Sequence, residues 1–532
     1  MLDREPPAQH HYPVTFPPRI EVPMYESGPT GRGMALGDQL ARHARRTPDT
    51  TALVFDGTSR TYRELDERVS RLAGALRERG IGPGDRIAVL SLNNLETVES
   101  YLASARLGAI CVPVNFRLTA PEVSYVLADS GAAALVTEPA FADVVAAART
   151  PSLRTVLVVG DDYEQALRAA VPAPEESTAD LDAPAFVMYT SGTTGKPKGA
   201  VLTHQNVLMH AFSTITHLGV PADDRVGMSG APLFHIAGAA ALALNLLVGG
   251  TSVLTRSGRF DPAETVGLLA RHRVSNCFFV PAQWQAICAL PDLARHDLSA
   301  LRRISWGASP APTALLRRMI ELFPQAQVTT MFGQTECSPV TTVLRGEDAT
   351  RKIGSVGTPM LNVEVRVVDD DMNDVPRGEV GEIVYRGPMV MKEYWGKPAE
   401  TAEAFRGGWF HSGDLVRQDA DGYFYVVDRK KDMIISGGEN IYCAEVEDVL
   451  DGHPGIAEVA LIGVPDAKWG EVPLAVVVPR DPGAPPTAEE VEAWCRERLA
   501  GYKCPRRTAI VPELPRNPSG KVLKTSLRAK FG

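Results

Sequence analysis

One stretch narrows the folds open to this chain more than any other. It is Tyr189-Thr190-Ser191-Gly192-Thr193-Thr194-Gly195-Lys196-Pro197-Lys198-Gly199, set directly after the apolar run Ala185-Phe186-Val187-Met188. These eleven residues hold three glycines, four Ser/Thr hydroxyls and two lysines. Charge, donors and unhindered backbone N–H groups are what a loop needs to hold a polyphosphate. The proline after Gly195-Lys196 excludes a Walker A loop, which carries Ser or Thr there for the metal. Taken alone, a glycine-rich string also fits a plain surface turn, so the rest of the chain must decide.

Around that loop, helical and strand patterns alternate. Thr61-Tyr62-Arg63-Glu64 opens a helix with Leu65, Val69, Leu72 and Leu76 on one face, and Thr61 and Glu64 have the spacing of a capping box. A strand follows at Arg86 to Leu90, then helix 95–107, strand Ala109 to Pro113, helix 120–128 and strand Ala133 to Thr137. Asp161 to Asp182 reads as a surface connection rich in Ala, Pro and acid. Beyond the loop come helix 204–216, an Ala/Leu-rich helix ending at Val248, and a second strand–helix series to residue 322. Such alternation predicts parallel sheet packed between helices. From Val363 to Val416 short strands and Gly turns predict a β-rich subdomain, and Asp421-Gly422 a hairpin turn. After the charged run Asp428 to Asp432 another block begins, with helix 443–451, strands 459–464 and 475–478, and helix 487–500. The expectation is an α/β fold: a large domain over residues 1–430, mixed and parallel sheets with packed helices plus the β-rich subdomain. A small mobile α+β domain follows over 431–532. The first 34 residues, rich in Pro, His and Gly, read as an extended arm.

At 532 residues, two or more cores are expected. A net charge of -9 argues against a nucleic-acid-binding face. The seven cysteines (111, 277, 288, 337, 443, 495, 504) form no C-x-x-C pair, so neither zinc nor a disulfide framework is expected, and a reducing cytoplasm fits. No apolar run reaches 18 residues, so no transmembrane segment is expected.

The loop resembles, nearly letter for letter, the phosphate loop of AMP-forming acyl-CoA synthetases, the superfamily that includes peptide-synthetase adenylation domains and luciferases. Matching motifs run in family order from about Thr61 to Lys524. The resemblance implies that Thr190 to Gly195, Lys196 and Lys198 hold ATP phosphates, and that Gly307-Ala308-Ser309 and Phe332-Gly333-Gln334 enclose the adenine with Phe332 stacked on it. Thr335 would bond the α-phosphate and Glu336 would hold Mg²⁺. Asp414 matches the ribose-binding aspartate, with Arg429 as a second ribose or phosphate contact. Lys521, in Pro515-Arg516-Asn517-Pro518-Ser519-Gly520-Lys521, matches the lysine swung over the carboxylate and α-phosphate during adenylation. Lys431 matches the hinge, Gly437-Gly438 the pantetheine passage, and Trp469 with Lys503, Arg506 and Arg507 the CoA nucleotide site; core packing is the alternative for Trp469. His235 would line the acyl pocket in a positional, not acid–base, role.

Two positions depart from relatives. Trp306 stands where most carry a small residue, so it either narrows the acyl pocket toward short, medium or flat aromatic acids or packs behind the sheet. Gly333 stands where acetate-specific relatives carry tryptophan. The implied activity is ATP-dependent formation of acyl-AMP and then acyl-CoA, with ATP, Mg²⁺ and CoA as cofactors and co-substrates. Transfer to an acyl carrier protein or an amine is the alternative, and a homodimer is an open assembly. The resemblance also implies that an amino-acid adenylation domain would carry an aspartate near residue 232 to hold the substrate amine; the stretch Ala231-Pro232-Leu233-Phe234-His235 has none, which speaks against amino acids as substrates.

Overall fold

The computed structural model describes residues 33–532 except 175, 176, 178, 191–195, 221–224, 259, 310, 437, 438 and 517–521. The expected N-terminal arm therefore lies almost entirely outside the described residues.

The run Ala185 to Met188 becomes the strand Pro184–Thr190, in a seven-stranded sheet. Its inner strands are parallel, while Lys198–Thr203 and Glu393–Tyr394 add antiparallel pairs at one edge. Phe186 and Met188 enter one core cluster and Val187 another on the opposite face. Burial on both faces is why the run is continuously apolar instead of alternating. A nine-stranded sheet carries the second series. Strands Asn276–Phe279, Arg303–Gly307 and Gln327–Gly333 lie parallel, and Val340–Leu344 returns antiparallel beside the last of them.

The largest core cluster joins the helices Tyr62–Glu78, Leu95–Leu107 and Ile236–Val248 to strands of both large sheets. A second covers the other face of the nine-stranded sheet with helices Pro262–Arg271, Pro281–Cys288 and Thr313–Leu322. The capping box forms as read: Thr61 Oγ1 accepts from the Glu64 N–H at 3.2 Å and Glu64 Oε2 from the Thr61 N–H at 2.8 Å. The β-rich region is a four-stranded antiparallel sheet, closed by the Phe410–Gln418 and Phe424–Arg429 hairpin. From Ile434 onward the described strands pair only among themselves, in a five-stranded sheet. Helices Cys443–Asp451 and Ala488–Arg496 pack on one of its faces, and the latter stops short of the expected residue 500.

Asp161 to Asp182 is not only a surface connection. Asp161–Ala169 is a helix with acids in its first turn, burying Tyr163, Ala166 and Leu167. Their i, i+3, i+4 spacing was hidden by the surrounding Ala and acid content. Tyr163 earns its burial by donating to the fully buried Glu99 at 2.7 Å. No helix among the described residues is long and apolar enough to cross a membrane, and all seven cysteines are free thiols.

Candidate active site

The loop's own residues Ser191, Gly192, Thr193, Thr194 and Gly195 lie outside the described residues, as do Gly437, Gly438 and Lys521. The flanks of the loop are well placed. Thr190 ends the incoming strand and pairs with Lys198 on the return strand. The Lys196 ammonium sits 5.2 Å from the centre of the Tyr125 ring, and that of Lys198 4.4 Å from the centre of the Tyr394 ring. Neither lysine forms an ion pair with a described residue, so both keep their charge available beside the loop. Tyr125 also donates to Pro197 O at 2.9 Å. Tyr189 donates to Asp129 at 2.8 Å, and Asp129 in turn accepts from Lys397 at 2.8 Å. Burial, reinforced by Asp129, pushes the Tyr189 phenol well above its ordinary pKa, which keeps it a donor.

Strand Gln327–Gly333 delivers Phe332, Gly333 and Gln334, and a short 3-10 turn, Thr335–Cys337, presents Thr335 and Glu336. The chain turns back within a few residues to pair Gly333 with Val340. That hairpin is tight: a Cβ on Gly333 would lie 2.0 Å from Pro339 O. Gly307 is equally confined, its Cβ position 2.1 Å from Met331 O. Ala308 follows with φ +69°, in the left-handed region that lets the chain leave the sheet sharply.

Glu336 is 8% exposed. Its Oε1 accepts from Tyr394 OH at 2.9 Å, and its Oε2 lies 3.4 Å from Gln334 Nε2. Gln334 Oε1 is buried with no hydrogen-bond partner among the described residues. A carboxylate beside an unpaired amide oxygen is hard-oxygen chemistry, and it fits Mg²⁺, which binds one or two carboxylates and completes its shell with phosphate oxygens and water. No cluster of three or more His, Cys, Asp or Glu that could form an all-protein cage occurs among the described residues. Cys337 is fully buried, and its thiol is pushed well up by that burial and then by Glu336 and Asp414, so it is no nucleophile.

Asp414 and Arg429 face each other across the hairpin. Asp414 is 1% exposed and its Oδ1 meets Arg429 Nε at 2.5 Å, while the Arg429 side chain remains 39% exposed. The pair thus presents a fixed carboxylate with a guanidinium at the surface. Just beyond it, Lys430 pairs with Asp370 at 2.6 Å and Glu382 at 3.2 Å. Lys431 lies 3.7 Å from Asp432, and burial lowers its pKa. Asp428, 5% exposed, accepts from the Arg429 and Cys443 N–H groups, tying the hairpin to the helix Cys443–Asp451. Burial pushes its carboxyl up to about 6, against the pull of Lys524 and those N–H donors.

Trp469 lies between two cations, with Lys468 Nζ 4.6 Å and Arg506 Cζ 4.8 Å from its ring centre. Lys503 is drawn elsewhere, held by both Glu445 oxygens at 2.7 Å. His235 caps the helix Ile236–Val248, its Nδ1 accepting from Ala237 N–H at 3.2 Å. Trp306 is 6% exposed and belongs to the core under the helices Pro262–Arg271, Pro281–Cys288 and Thr313–Leu322. The opposite face of the same strands carries Phe278, whose ring lies 3.5 Å from the Cβ position of Gly307, and Met331, which packs on the core containing the helix Ile236–Val248.

Sequence reading did not find Tyr394, Tyr125, Asp129 or Lys397. Tyr394 is 58 residues from Glu336, and no local pattern marks it.

The AMP-binding enzyme family model matches residues 40–395, and that of the AMP-binding enzyme C-terminal domain matches 445–521. The chain is 45% identical over 504 residues to a feruloyl-CoA synthase of an Amycolatopsis species, covering 94% of this chain and 100% of that protein. It is 37% identical to a long-chain-fatty-acid–CoA ligase of Mycobacterium tuberculosis, covering 93% and 98%. Among solved structures, the o-succinylbenzoate CoA synthetase of Bacillus subtilis, in complex with its acyl-adenylate intermediate, superposes with a TM-score of 0.83. It is 34% identical, covering 92% of this chain and 97% of that one.

Proposed function

This chain belongs to the AMP-binding enzyme family, and from that membership we infer that it is an AMP-forming acid–CoA ligase acting on an aromatic carboxylic acid. The observation that carries the reading of the acid is the end-to-end 45% identity to a feruloyl-CoA synthase, against 37% to a fatty-acid ligase of similar coverage.

The carboxylate of the acid attacks the α-phosphorus of ATP, pyrophosphate leaves, and acyl-AMP results. The thiolate of CoA then attacks the acyl carbon, and AMP departs. Activation is needed because a free carboxylate has no adequate leaving group. Thr190, Lys196 and Lys198, with the loop between them, hold the phosphates. Phe332 stacks on the adenine, Thr335 donates to the α-phosphate, and Asp414 accepts from the ribose hydroxyls with Arg429 beside it. Mg²⁺ at Glu336 would offset phosphate charge. Lys521 stabilises the charge that develops on the carboxylate and phosphorus during adenylation.

We place the acid on the sheet face that carries Phe278, Gly307 and Met331, beside the helix capped by His235; two large side chains there offer a flat apolar wall. The small domain from Lys431 onward rotates about that residue to exchange Lys521 for Gly437-Gly438, where the pantetheine passes. Trp469 and Arg506 receive the CoA nucleotide, since an indole flanked by cations suits a base and its phosphates. The seven free thiols support a reducing compartment, the cytoplasm.

The test is pyrophosphate release with ferulate, 2-succinylbenzoate, indoleacetate and palmitate, each with and without CoA, the products weighed by mass spectrometry. An aromatic acyl-CoA as the fastest product is expected. Preference for palmitate, or adenylates that reach a carrier protein but never CoA, would overturn the reading.

A further inference from the structure

Residues 391–397 form a strap that links the two halves of the nucleotide site. At its start, Met391 N–H donates to Glu336 O at 2.6 Å. In its middle, Lys392 N–H donates to Val201 O and Trp395 N–H to Gly199 O, at 2.9 and 2.7 Å. Glu393 and Tyr394 thus pair with Val201 and Ala200 on the return strand of the phosphate loop. At its end, Lys397 holds Asp129, which holds Tyr189 on the incoming strand. The strap therefore pairs with the return strand, bonds the turn that bears Glu336, and reaches the incoming strand through Asp129.

Tyr394 concentrates this link in one side chain. Its hydroxyl donates to Glu336 Oε1, and its ring faces the Lys198 ammonium. The residue is only 6% exposed, so the ring and hydroxyl have little freedom to leave these contacts. A carboxylate oxygen has no hydrogen to give, so the phenol is the donor in that bond and Glu336 Oε1 the acceptor. A carboxylate with Oε1 committed in this way presents Oε2 in a fixed direction. A lysine on a ring face is held without a carboxylate that would neutralise it.

Resting on the adenylation reading above, we propose that Tyr394 is a positioning residue that fixes Glu336 for Mg²⁺ through its hydroxyl and Lys198 for phosphate through its ring. The two functions are separable because they use different atoms. Tyr394→Phe deletes only the hydroxyl, and Tyr394→Leu deletes hydroxyl and ring together.

The experiment is calorimetric titration of ATP into the full chain without any acid, in EDTA and across a Mg²⁺ series, beside pyrophosphate release with ferulate. Tyr394→Phe should bind ATP in EDTA as the parent does but need roughly tenfold more Mg²⁺ for tight binding, the size expected for a lost hydrogen bond to a charged group. Tyr394→Leu should show the same Mg²⁺ shift and, in addition, lose roughly threefold in EDTA, as fits a lost cation–π contact. Lys198→Met removes the phosphate charge itself and should lose at least as much in EDTA, and in that background replacing Tyr394→Phe by Tyr394→Leu should cost nothing more. An unchanged Mg²⁺ series for Tyr394→Phe overturns the proposal, as does an equal loss in EDTA for both Tyr394 variants. If the parent binds Mg²⁺ and ATP as stated but no acid elicits pyrophosphate, the adenylation reading fails while the positioning role stands on the binding data.

Discussion

Gly333→Ala is the substitution whose outcome the backbone determines most directly. The added Cβ would sit 2.0 Å from Pro339 O and 3.0 Å from Thr341 N. An ordinary carbon–oxygen contact is about 3.3 Å, so one strand of the hairpin must retreat by more than about 1 Å. Gly333 also holds φ +153°, where a side chain is strained whatever the space. Overpacking of this kind costs about 1–3 kcal/mol, occasionally more. The shift cannot stay local, because Phe332 precedes the glycine and Thr335 and Glu336 follow it within three residues. A misplacement of about 1 Å in reacting groups is worth about 10²-fold in rate. Acid-dependent pyrophosphate release should therefore fall about 10²-fold, with a lowered melting temperature and the same ranking of acids. A variant with the parent's melting temperature and rate, but a preference for smaller acids, would refute the argument. That result would mean the side chain at 333 points into the acyl pocket and the hairpin accommodates it.

Three further outcomes are expected. Lys521→Ala should cut acyl-AMP formation about 10²–10³-fold, as for loss of an oxyanion-hole donor, while CoA-dependent consumption of supplied acyl-AMP changes little; equal loss in both half-reactions would remove the two-orientation scheme. Asp428, raised from 3.8 to about 6 in the folded chain, binds its proton more tightly folded than unfolded. Stability should thus fall as pH rises through the 3.8–6 window, by about 3 kcal/mol at 1.36 kcal/mol per unit, and parallel melting curves of the parent and Asp428→Asn across pH 4–7 would exclude this. Trp306→Ala should cost about 3–5 kcal/mol as a core truncation and leave the ranking of aromatic and fatty acids unchanged, whereas a gain for long-chain acids measured by kcat/KM would bring the indole back to the acyl pocket.

Much of the fold could be read from the chain because its elements carry local signals. The strand Pro184–Thr190 is apolar on both faces, and Thr61 and Glu64 cap one helix reciprocally. The motifs that bear Phe332, Thr335, Glu336, Asp414 and Arg429 are contiguous strings, so each could be found without knowing what lies beside it. The strand register then brings Asp414 opposite Arg429.

What resisted reading was the supporting structure. Tyr394 meets Glu336 across 58 residues and Lys397 meets Asp129 across 268. Neither side chain has a neighbour in sequence that hints at the contact, because the pairing of Glu393–Tyr394 with the return strand of the phosphate loop brings the segment there. Trp306 shows the same gap from the other side: its type is conspicuous in the sequence, yet only the register says which face it takes. Phe279 pairs with Trp306 and shares its core, so the adjacent Phe278 must point the other way, toward the Cβ position of Gly307. A one-residue shift in that register would exchange the two walls. Which residues form the wall proposed for the acid is therefore set by strand pairing, and Phe278→Ala should alter the ranking of acids where Trp306→Ala does not.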